Sequence, residues 1–201
     1  MISIYEIKPK FQKLLKPVTH MLYKNGITPN QVTIFTCLLS VVIGVIFYLN
    51  PHALWMYVIL PLIMFIRMAL NAIDGVLAKD YQLQSYLGKY LNELTDVISD
   101  AALFLPFILV VKDAPLIVII FIILSIVSEM AGIIGESISG KRQYQGPMGK
   151  SDRAFLIGLI SFILIFTDVI ISYLPYLFAF ASILIIVNII NRIRHGIKEV
   201  N

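Results

Sequence analysis

Apolar residues gather in six stretches of about 20 residues, which is the length that crosses the hydrocarbon core of a bilayer. Short or polar connections separate these stretches, and no repeat or linker divides them. We therefore expect an all-α protein in which residues 1–201 form a single integral membrane domain, with six transmembrane helices in residues 28–201. The predicted spans are Asn30–Leu49, Ala53–Ala78, Ser85–Val111, Pro115–Ser139, Arg153–Leu174 and Pro175–Arg192.

A different pattern precedes the first span. Apolar residues recur there at helical spacing, and basic residues occupy the other faces, which predicts an interfacial amphipathic helix within residues 1–27. The alternative is that these basic residues serve only as a signal for membrane topology. The first ten residues contain no apolar segment before a cleavage site, so we expect no signal peptide. The apolar positions are Phe11, Leu14, Leu15, Val18 and Leu22, and the polar ones are Lys13, Lys16, His20 and Lys24.

Composition supports a membrane protein. Hydrophobic residues make up 59% of the chain and charged residues 14%, whereas soluble domains have about 45–50% and about 25%. The net charge of +4 could suggest nucleic acid, but the basic residues punctuate apolar runs, so we expect a lipid bilayer and no nucleic acid as partner. The single cysteine, Cys37, excludes a disulfide scaffold.

The basic residues also predict an orientation. Fourteen of the 16 lysines and arginines lie on one side of the predicted spans, Lys112 lies on the other, and Arg67 lies inside a span. Because cytoplasmic loops of membrane proteins are enriched in Lys and Arg, both termini are expected in the cytoplasm.

Two of the predicted spans carry polar side chains on one helical face. Facing lipid, the four acids among them would cost roughly 3 kcal/mol each, or about 12 kcal/mol together. They must therefore face a polar interior, either as a functional cluster with cations or as a network that only joins the helices. The residues are Arg67, Asn71, Asp74 and Ala78 in the second span, and Gly88, Asn92, Glu93, Asp96 and Asp100 in the third.

Oxygen ligands on two neighbouring helices suit a hard cation such as Mg²⁺ or Mn²⁺. No cysteine lies near them, and the three histidines lack the spacing of metal ligands. Divalent ions in a cavity that faces the cytoplasm suit reactions at phosphate groups.

The spacing of these residues resembles the signature of the CDP-alcohol phosphotransferase family, D-x2-D-G-x2-A-R-x8-G-x3-D-x3-D. The six spans after an amphipathic helix, and Thr28-Pro29-Asn30 before the first span, are also similar to that family. Every interval matches, as do five of the eight signature identities. The sequence here is Asn71-x2-Asp74-Gly75-x2-Ala78-Lys79-x8-Gly88-x3-Asn92-x3-Asp96.

The resemblance implies a phospholipid-synthesis enzyme in the bacterial inner membrane that transfers a phosphatidyl group from a CDP-linked donor, CDP-diacylglycerol, to an alcohol acceptor, with release of CMP. It implies two divalent ions, Mg²⁺ or Mn²⁺, and it leaves a homodimer open. Carried over by position, Asn71, Asp74 and Asn92 bind metal and Asp96 is the base. The implied nucleotide-binding positions are Asp74, Gly75, Ala78, Lys79 and Gly88.

Asparagine replaces aspartate at two signature positions, 71 and 92. Asp100 and Glu93 can restore the lost charge, so our hypothesis is that Asp74, Asp96 and Asp100 carry the metal site, with the base either Asp96 or Asp100. Two alternatives are a non-catalytic lipid- or nucleotide-binding relative with a degenerate site, and a small ion transporter lined by carboxylates.

Further polar residues lie near the predicted cavity. Glu129 and Glu136 share one face of the fourth span, with Gly132 and Gly135 between them, and small residues of this kind allow helices to approach. The loop after this span is basic. Its cations could attract anionic groups of the donor or acceptor, or they could reflect positive-inside topology alone. The residues we expect to bind the acceptor are Glu129, Lys150 and Arg153.

Overall fold

The computed structural model describes residues 4–200 and the side chains of residues 11–200. Within that part of the chain the regular structure is entirely helical, as predicted. A short 3-10 helix, Val169–Tyr173, comes before the last α-helix. The α-helices are α1 (Ile4–Lys24), α2 (Pro29–Leu49), α3 (Leu54–Asp80), α4 (Tyr86–Phe104), α5 (Phe107–Val110), α6 (Pro115–Ser139), α7 (Lys150–Leu164) and α8 (Leu174–Lys198).

Local signals explain where two of these helices begin. At the start of α2, the Thr28 hydroxyl accepts a hydrogen bond from the Gln31 backbone N–H at 3.3 Å, and the Gln31 side chain accepts one from the Thr28 N–H at 2.9 Å. This capping box satisfies donors that have no partner inside the helix. The Ser85 hydroxyl does the same for α4, accepting from the Gly88 N–H at 2.9 Å.

Two of the predicted spans are divided in the structure. The third is interrupted between Phe104 and Phe107, where α4 ends and α5 begins, because Pro106 has no N–H to donate and its ring disfavours a continuous helix. The fifth is helical over Lys150–Leu164 only, and a turn and the 3-10 helix follow it.

Four helical segments are long and apolar enough to cross a membrane: Pro29–Leu49, Leu54–Asp80, Pro115–Ser139 and Val169–Lys198. The chain is therefore a multi-span membrane protein. Helix α4 carries too many charges to belong to this group, and α7 has only 15 residues. Four of the six predicted spans therefore have helices of the required length and hydropathy, and the count of six, with α4 and α7 included, stays a prediction.

Five phenylalanines with no exposed surface form the centre of the apolar core. Their rings meet in pairs from α2, α4, α5, α6 and α8, with centroids 5.2–5.9 Å apart. Large apolar side chains such as Leu62 and Leu116 are more than half exposed on the outside, as expected of a surface that faces lipid. The five residues are Phe47, Phe104, Phe107, Phe121 and Phe178.

Helix α1 packs against α3. The Phe11 and Phe65 rings meet edge to face at 6.0 Å, and the Tyr23 and Tyr81 rings stack at 4.1 Å. Lys16 forms an exposed ion pair of 3.3 Å with Asp80. The bilayer-interface position of α1 stays a prediction.

Candidate active site

The signature residues of α3 and α4 meet inside the bundle. The Asn71 amide donates a hydrogen bond to Asp96 Oδ1 at 3.1 Å, and Asp74 interacts electrostatically with Asp96. Asp74 is buried and accepts a hydrogen bond of 2.8 Å from the Thr33 hydroxyl on α2. The predicted convergence of these two helix faces is therefore present.

Lys150, the first residue of α7, extends to the same carboxylate. Its ammonium group contacts Asp96 Oδ2 and keeps 28% of its side-chain surface exposed, while the Asp96 side chain keeps 16%. One side of this ion pair therefore faces solvent, and the acceptor-binding role of Lys150 stays a prediction.

Asp100 lies one turn deeper and is buried between two arginines. Its Oδ1 is 2.5 Å from Arg67 Nη2, and its Oδ2 is 3.3 Å from Arg153 Nη2. Arg67 also donates a hydrogen bond of 3.2 Å to the Asp96 backbone carbonyl. Because both oxygens of Asp100 face guanidinium groups, this carboxylate stabilises the bundle without an added cation.

Glu129 on α6 gathers three arginines from other parts of the chain. Its carboxylate is 2.9 Å from Arg153, 3.0 Å from Arg142 and 3.5 Å from Arg192. Arg142, in the loop before α7, also contacts Glu93. Burial acts to lower the pKa of Arg142, but the hydrogen bond and charge of Glu93 outweigh it, and the pKa lies above its usual value.

Together these residues make an ion-pair cluster, the name used below for ten side chains that include equal numbers of acids and bases. The acids are Asp74, Glu93, Asp96, Asp100 and Glu129, and the bases are Arg67, Arg142, Lys150, Arg153 and Arg192. With every group ionised, the net charge of the cluster is zero.

The donor set decides whether a metal ion fits. A hard divalent ion takes about six oxygen ligands, of which carboxylates supply the charge. No group of three His, Cys, Asp or Glu side chains is arranged to hold a metal ion among the residues described. The chemistry of the signature positions suits a hard divalent ion, because Asp74 and Asp96 carry carboxylates and Asn71 and Asn92 carry amide oxygens.

The glycines of the signature differ in their surroundings. A Cβ built on Gly75 would meet no atom within 4 Å, so the helix face beside Asp74 is open. At Gly88 a Cβ would lie 2.7 Å from the Asn30 side chain, so this glycine has a packing role where α2 approaches α4. Lys79 is exposed and Ala78 is half-buried. The nucleotide-binding roles of these residues stay predictions.

Thr33 and Arg192 are among the residues of this region that were not predicted as partners of the acids. Thr33 lies in an apolar helix, and nothing in the sequence around it indicates that its hydroxyl contacts Asp74. Arg192 was assigned to membrane topology, although it follows Asn188 by one turn on a buried face of α8. Asn188 accepts a hydrogen bond of 2.9 Å from Ser128, and Arg192 donates to the Ser128 carbonyl at 2.5 Å.

Related sequences share much of the chain. Inner membrane protein YnbA of Escherichia coli (strain K12) is 40% identical over 193 residues, which are 96% of each chain. Archaetidylinositol phosphate synthase of Pyrococcus horikoshii is 32% identical over 98 residues, 49% of this chain and 50% of that protein. Phosphatidylinositol phosphate synthase of Corynebacterium glutamicum is 30% identical over 104 residues, 52% of this chain and 45% of that protein.

Solved structures share the fold. Phosphatidylinositol phosphate synthase (PgsA1) of Mycobacterium tuberculosis with CDP-DAG bound superposes with a TM-score of 0.75 at 18% identity, covering 92% of this chain and 94% of that one. The same enzyme in complex with manganese and citrate gives a TM-score of 0.73. Residues 26–191 match the sequence profile of CDP-alcohol phosphatidyltransferases. The chain therefore belongs to the CDP-alcohol phosphatidyltransferase family, a family of enzymes.

Proposed function

We propose that the chain transfers a phosphatidyl group from CDP-diacylglycerol to an alcohol and releases CMP. The observation that carries this proposal is the hydrogen bond from Asn71 to Asp96, which joins the signature faces of α3 and α4 beside the open helix face at Gly75. The fold shared with an enzyme solved with CDP-DAG bound supports the donor class.

Asp74, Asp96, Asn71 and Asn92 would hold the metal ion, Mg²⁺ or Mn²⁺, and the solved structure of similar fold in complex with manganese supports the class of metal. When bound, a divalent ion supplies positive charge beside the diphosphate oxygens of the donor. The small residues Gly75 and Ala78 let the nucleotide approach α3, with Lys79 and Gly88 as further nucleotide-binding positions.

In the proposed reaction the acceptor hydroxyl oxygen attacks the phosphorus that carries diacylglycerol. The bond from that phosphorus to the bridging oxygen breaks, and CMP leaves with this oxygen. The hydroxyl proton passes to a carboxylate. The contacts favour Asp96 over Asp100 as this base, because Asp96 is partly exposed whereas Asp100 is buried between Arg67 and Arg153. Asp100 then acts by positioning Arg153.

The acceptor is proposed to bind beside Lys150, the most exposed of the three predicted acceptor residues, whereas Arg153 and Glu129 are buried in contact with each other. Lys150 is the most exposed cation of the ion-pair cluster and is placed to attract an anionic group on the acceptor. The names of the relatives from P. horikoshii and C. glutamicum, both inositol phosphate lipid synthases, support an acceptor that carries phosphate.

Release of CMP tests the reaction. Purified protein is incubated with CDP-diacylglycerol and Mn²⁺ or Mg²⁺, without an acceptor and then with glycerol phosphate, inositol phosphate or serine. We expect CMP release that depends on both metal and acceptor and is lost in Asp96→Asn. Asp80→Asn, in the exposed pair with Lys16, is the matched control. CMP release that does not depend on metal would refute the proposed metal site, whereas no CMP with any acceptor would support the non-catalytic binding protein suggested by Asn71 and Asn92.

We also propose the membrane arrangement. All six predicted spans cross the bacterial inner membrane with both termini in the cytoplasm, and α1 lies at the interface. The name of the E. coli relative supports this membrane. Because Cys37 is the single cysteine, a Cys37→Ser background allows single cysteines at Lys112 and Lys141 to be labelled from either side of sealed vesicles. Labelling of position 141 from the periplasmic side would refute the orientation.

A further inference from the structure

The ion-pair cluster is electrically balanced before any metal ion or substrate binds. Each of its five carboxylates has a cation of the same chain beside it, or, for Asp74, interacts electrostatically with Lys150. With aspartate at all four aspartate positions of the signature, this region would carry two more negative charges. Asparagine at positions 71 and 92 removes both of them. Adding a divalent ion alone would therefore leave two uncompensated positive charges in a poorly solvated interior, and that is costly.

The diphosphate of a CDP-linked lipid carries two negative charges. One divalent ion bound together with this diphosphate keeps the net charge of the region at zero, whereas two ions would not. We propose, on the basis of the function proposed above, that this chain takes up one divalent ion together with the donor diphosphate, and that Lys150 and the asparagines at positions 71 and 92 prevent tight metal binding in its absence.

Lys150 is the cation of the cluster that can most easily leave its carboxylate partner, Asp96. Its ammonium group occupies Asp96 Oδ2, one of the proposed metal ligands, and it is more exposed than the arginines of the cluster. An ammonium on a flexible stem can move to a phosphate oxygen at small cost. Arg67 and Arg153 are held by several buried contacts, so they remain with Asp100 and Glu129.

Manganese binding to the full chain in detergent tests the proposal without turnover. The loss of the free Mn²⁺ signal in electron paramagnetic resonance is measured with and without CDP-diacylglycerol, after subtraction of the binding by the lipid alone. We expect about one ion per chain with the lipid and an affinity at least about tenfold weaker without it. By linkage, Mn²⁺ must raise the affinity for the lipid by the same factor.

Two sets of variants test whether the asparagines and Lys150 weaken Mn²⁺ binding in the absence of the lipid. Asn71→Asp with Asn92→Asp restores the missing negative charge, and Lys150→Met removes the competing cation. Both should bind Mn²⁺ without the lipid at least about tenfold more tightly than the wild type. Mn²⁺ should also raise the apparent unfolding temperature of the double variant. Asn25→Asp with Asn50→Asp, at two exposed positions, changes the net charge equally and should bind Mn²⁺ like the wild type.

Tight binding of two ions by the wild type without lipid overturns the proposal, as does unchanged Mn²⁺ affinity in Lys150→Met. These outcomes are separate from those that test the reaction. Metal-dependent CMP release together with tight Mn²⁺ binding to the free chain supports the reaction and refutes the coupling. The predicted Mn²⁺ behaviour without CMP release supports the coupling and refutes the transferase.

Discussion

Arg67 Nη2 and Asp100 Oδ1 lie 2.5 Å apart in the interior of the bundle, where both side chains are almost fully buried. Arg67 is on α3 and Asp100 is on α4, so this ion pair fixes the relative position of the two helices that carry the signature. Breaking a buried pair by removing one partner leaves an uncompensated charge.

We expect Arg67→Met to reduce stability by about 3–5 kcal/mol, measured as a lower apparent unfolding temperature in detergent. Asp100→Asn in the Arg67→Met background should cost less than Asp100→Asn alone, because it then removes a charge that has already lost one partner. Strictly additive effects would show that the two side chains are not coupled.

The open face at Gly75 predicts a loss of donor binding without a loss of stability. Gly75→Ala should leave the unfolding temperature unchanged or higher, because an added Cβ meets no atom within 4 Å and alanine favours a helix. The KM for CDP-diacylglycerol should rise severalfold. Gly158→Ala is a suitable control, since its Cβ would make only ordinary contacts from 3.8 Å, and an equal rise in KM there would rule out a local effect.

Gly44 is expected to behave in the opposite way. A Cβ at this position would lie 2.3 Å from the Ala102 carbonyl oxygen on α4, and backbone cannot move as easily as a flexible side chain. Gly44→Ala should destabilise the protein by about 1–3 kcal/mol, seen as a lower unfolding temperature. Wild-type stability in this variant would contradict the close approach of α2 and α4.

Glu129→Gln should be among the most damaging substitutions. It leaves Arg142, Arg153 and Arg192 facing a neutral amide, and Arg153 and Arg192 are buried. We expect a loss of about 3–5 kcal/mol and little folded protein in detergent. Glu136→Gln, in an exposed pair of 2.6 Å with Lys89, should change stability by less than about 1 kcal/mol. Equal effects of the two would argue against the three-arginine arrangement.

Periodicity and length were enough to predict the helices that cross the bundle. The second predicted span starts one residue before α3, and the fourth coincides with α6. Helix α4 ends at Phe104, before Pro106, although the predicted span continued to Val111. The apolar pattern alone does not show this end, which only the proline indicates. The convergence of Asn71, Asp74 and Asp96 was also predictable, because a polar stripe on each of two helices has to face the other.

The partners of the acids were harder to predict. Positive-inside topology explained the basic residues at the helix ends that are predicted to face the cytoplasm. It therefore also offered an explanation for Arg142 and Arg192, which contact Glu129 from the following loop and from α8. Asp100 was expected, from its spacing on one helix face, to compensate for the asparagines at a metal site. Its contacts with two arginines depend on how α3, α4 and α7 pack, and spacing within one helix carries no information about that.

The loop between α6 and α7 is held by side-chain contacts. Gln143 is fully buried, and its amide donates hydrogen bonds to Ser139, Lys141 and Glu199 at 2.8–3.1 Å. Gln143→Ala should release the loop, and trypsin should then cut after Lys141 or Arg142 faster than in the wild type, by about tenfold. Gln145→Ala, two residues further on, is the matched control and should be cut at the wild-type rate. Equal cleavage of both variants would refute the anchoring role of Gln143.

This anchored loop has a consequence for how the enzyme chooses its acceptor. Many transferases exclude water by closing a flexible segment over the substrates. Because the loop is anchored through a buried glutamine, we expect no such closure here, and the Asp96–Lys150 pair is partly exposed. Discrimination between the alcohol and bulk water then has to come from how well the alcohol binds, so a poor acceptor would lead to slow hydrolysis of the donor.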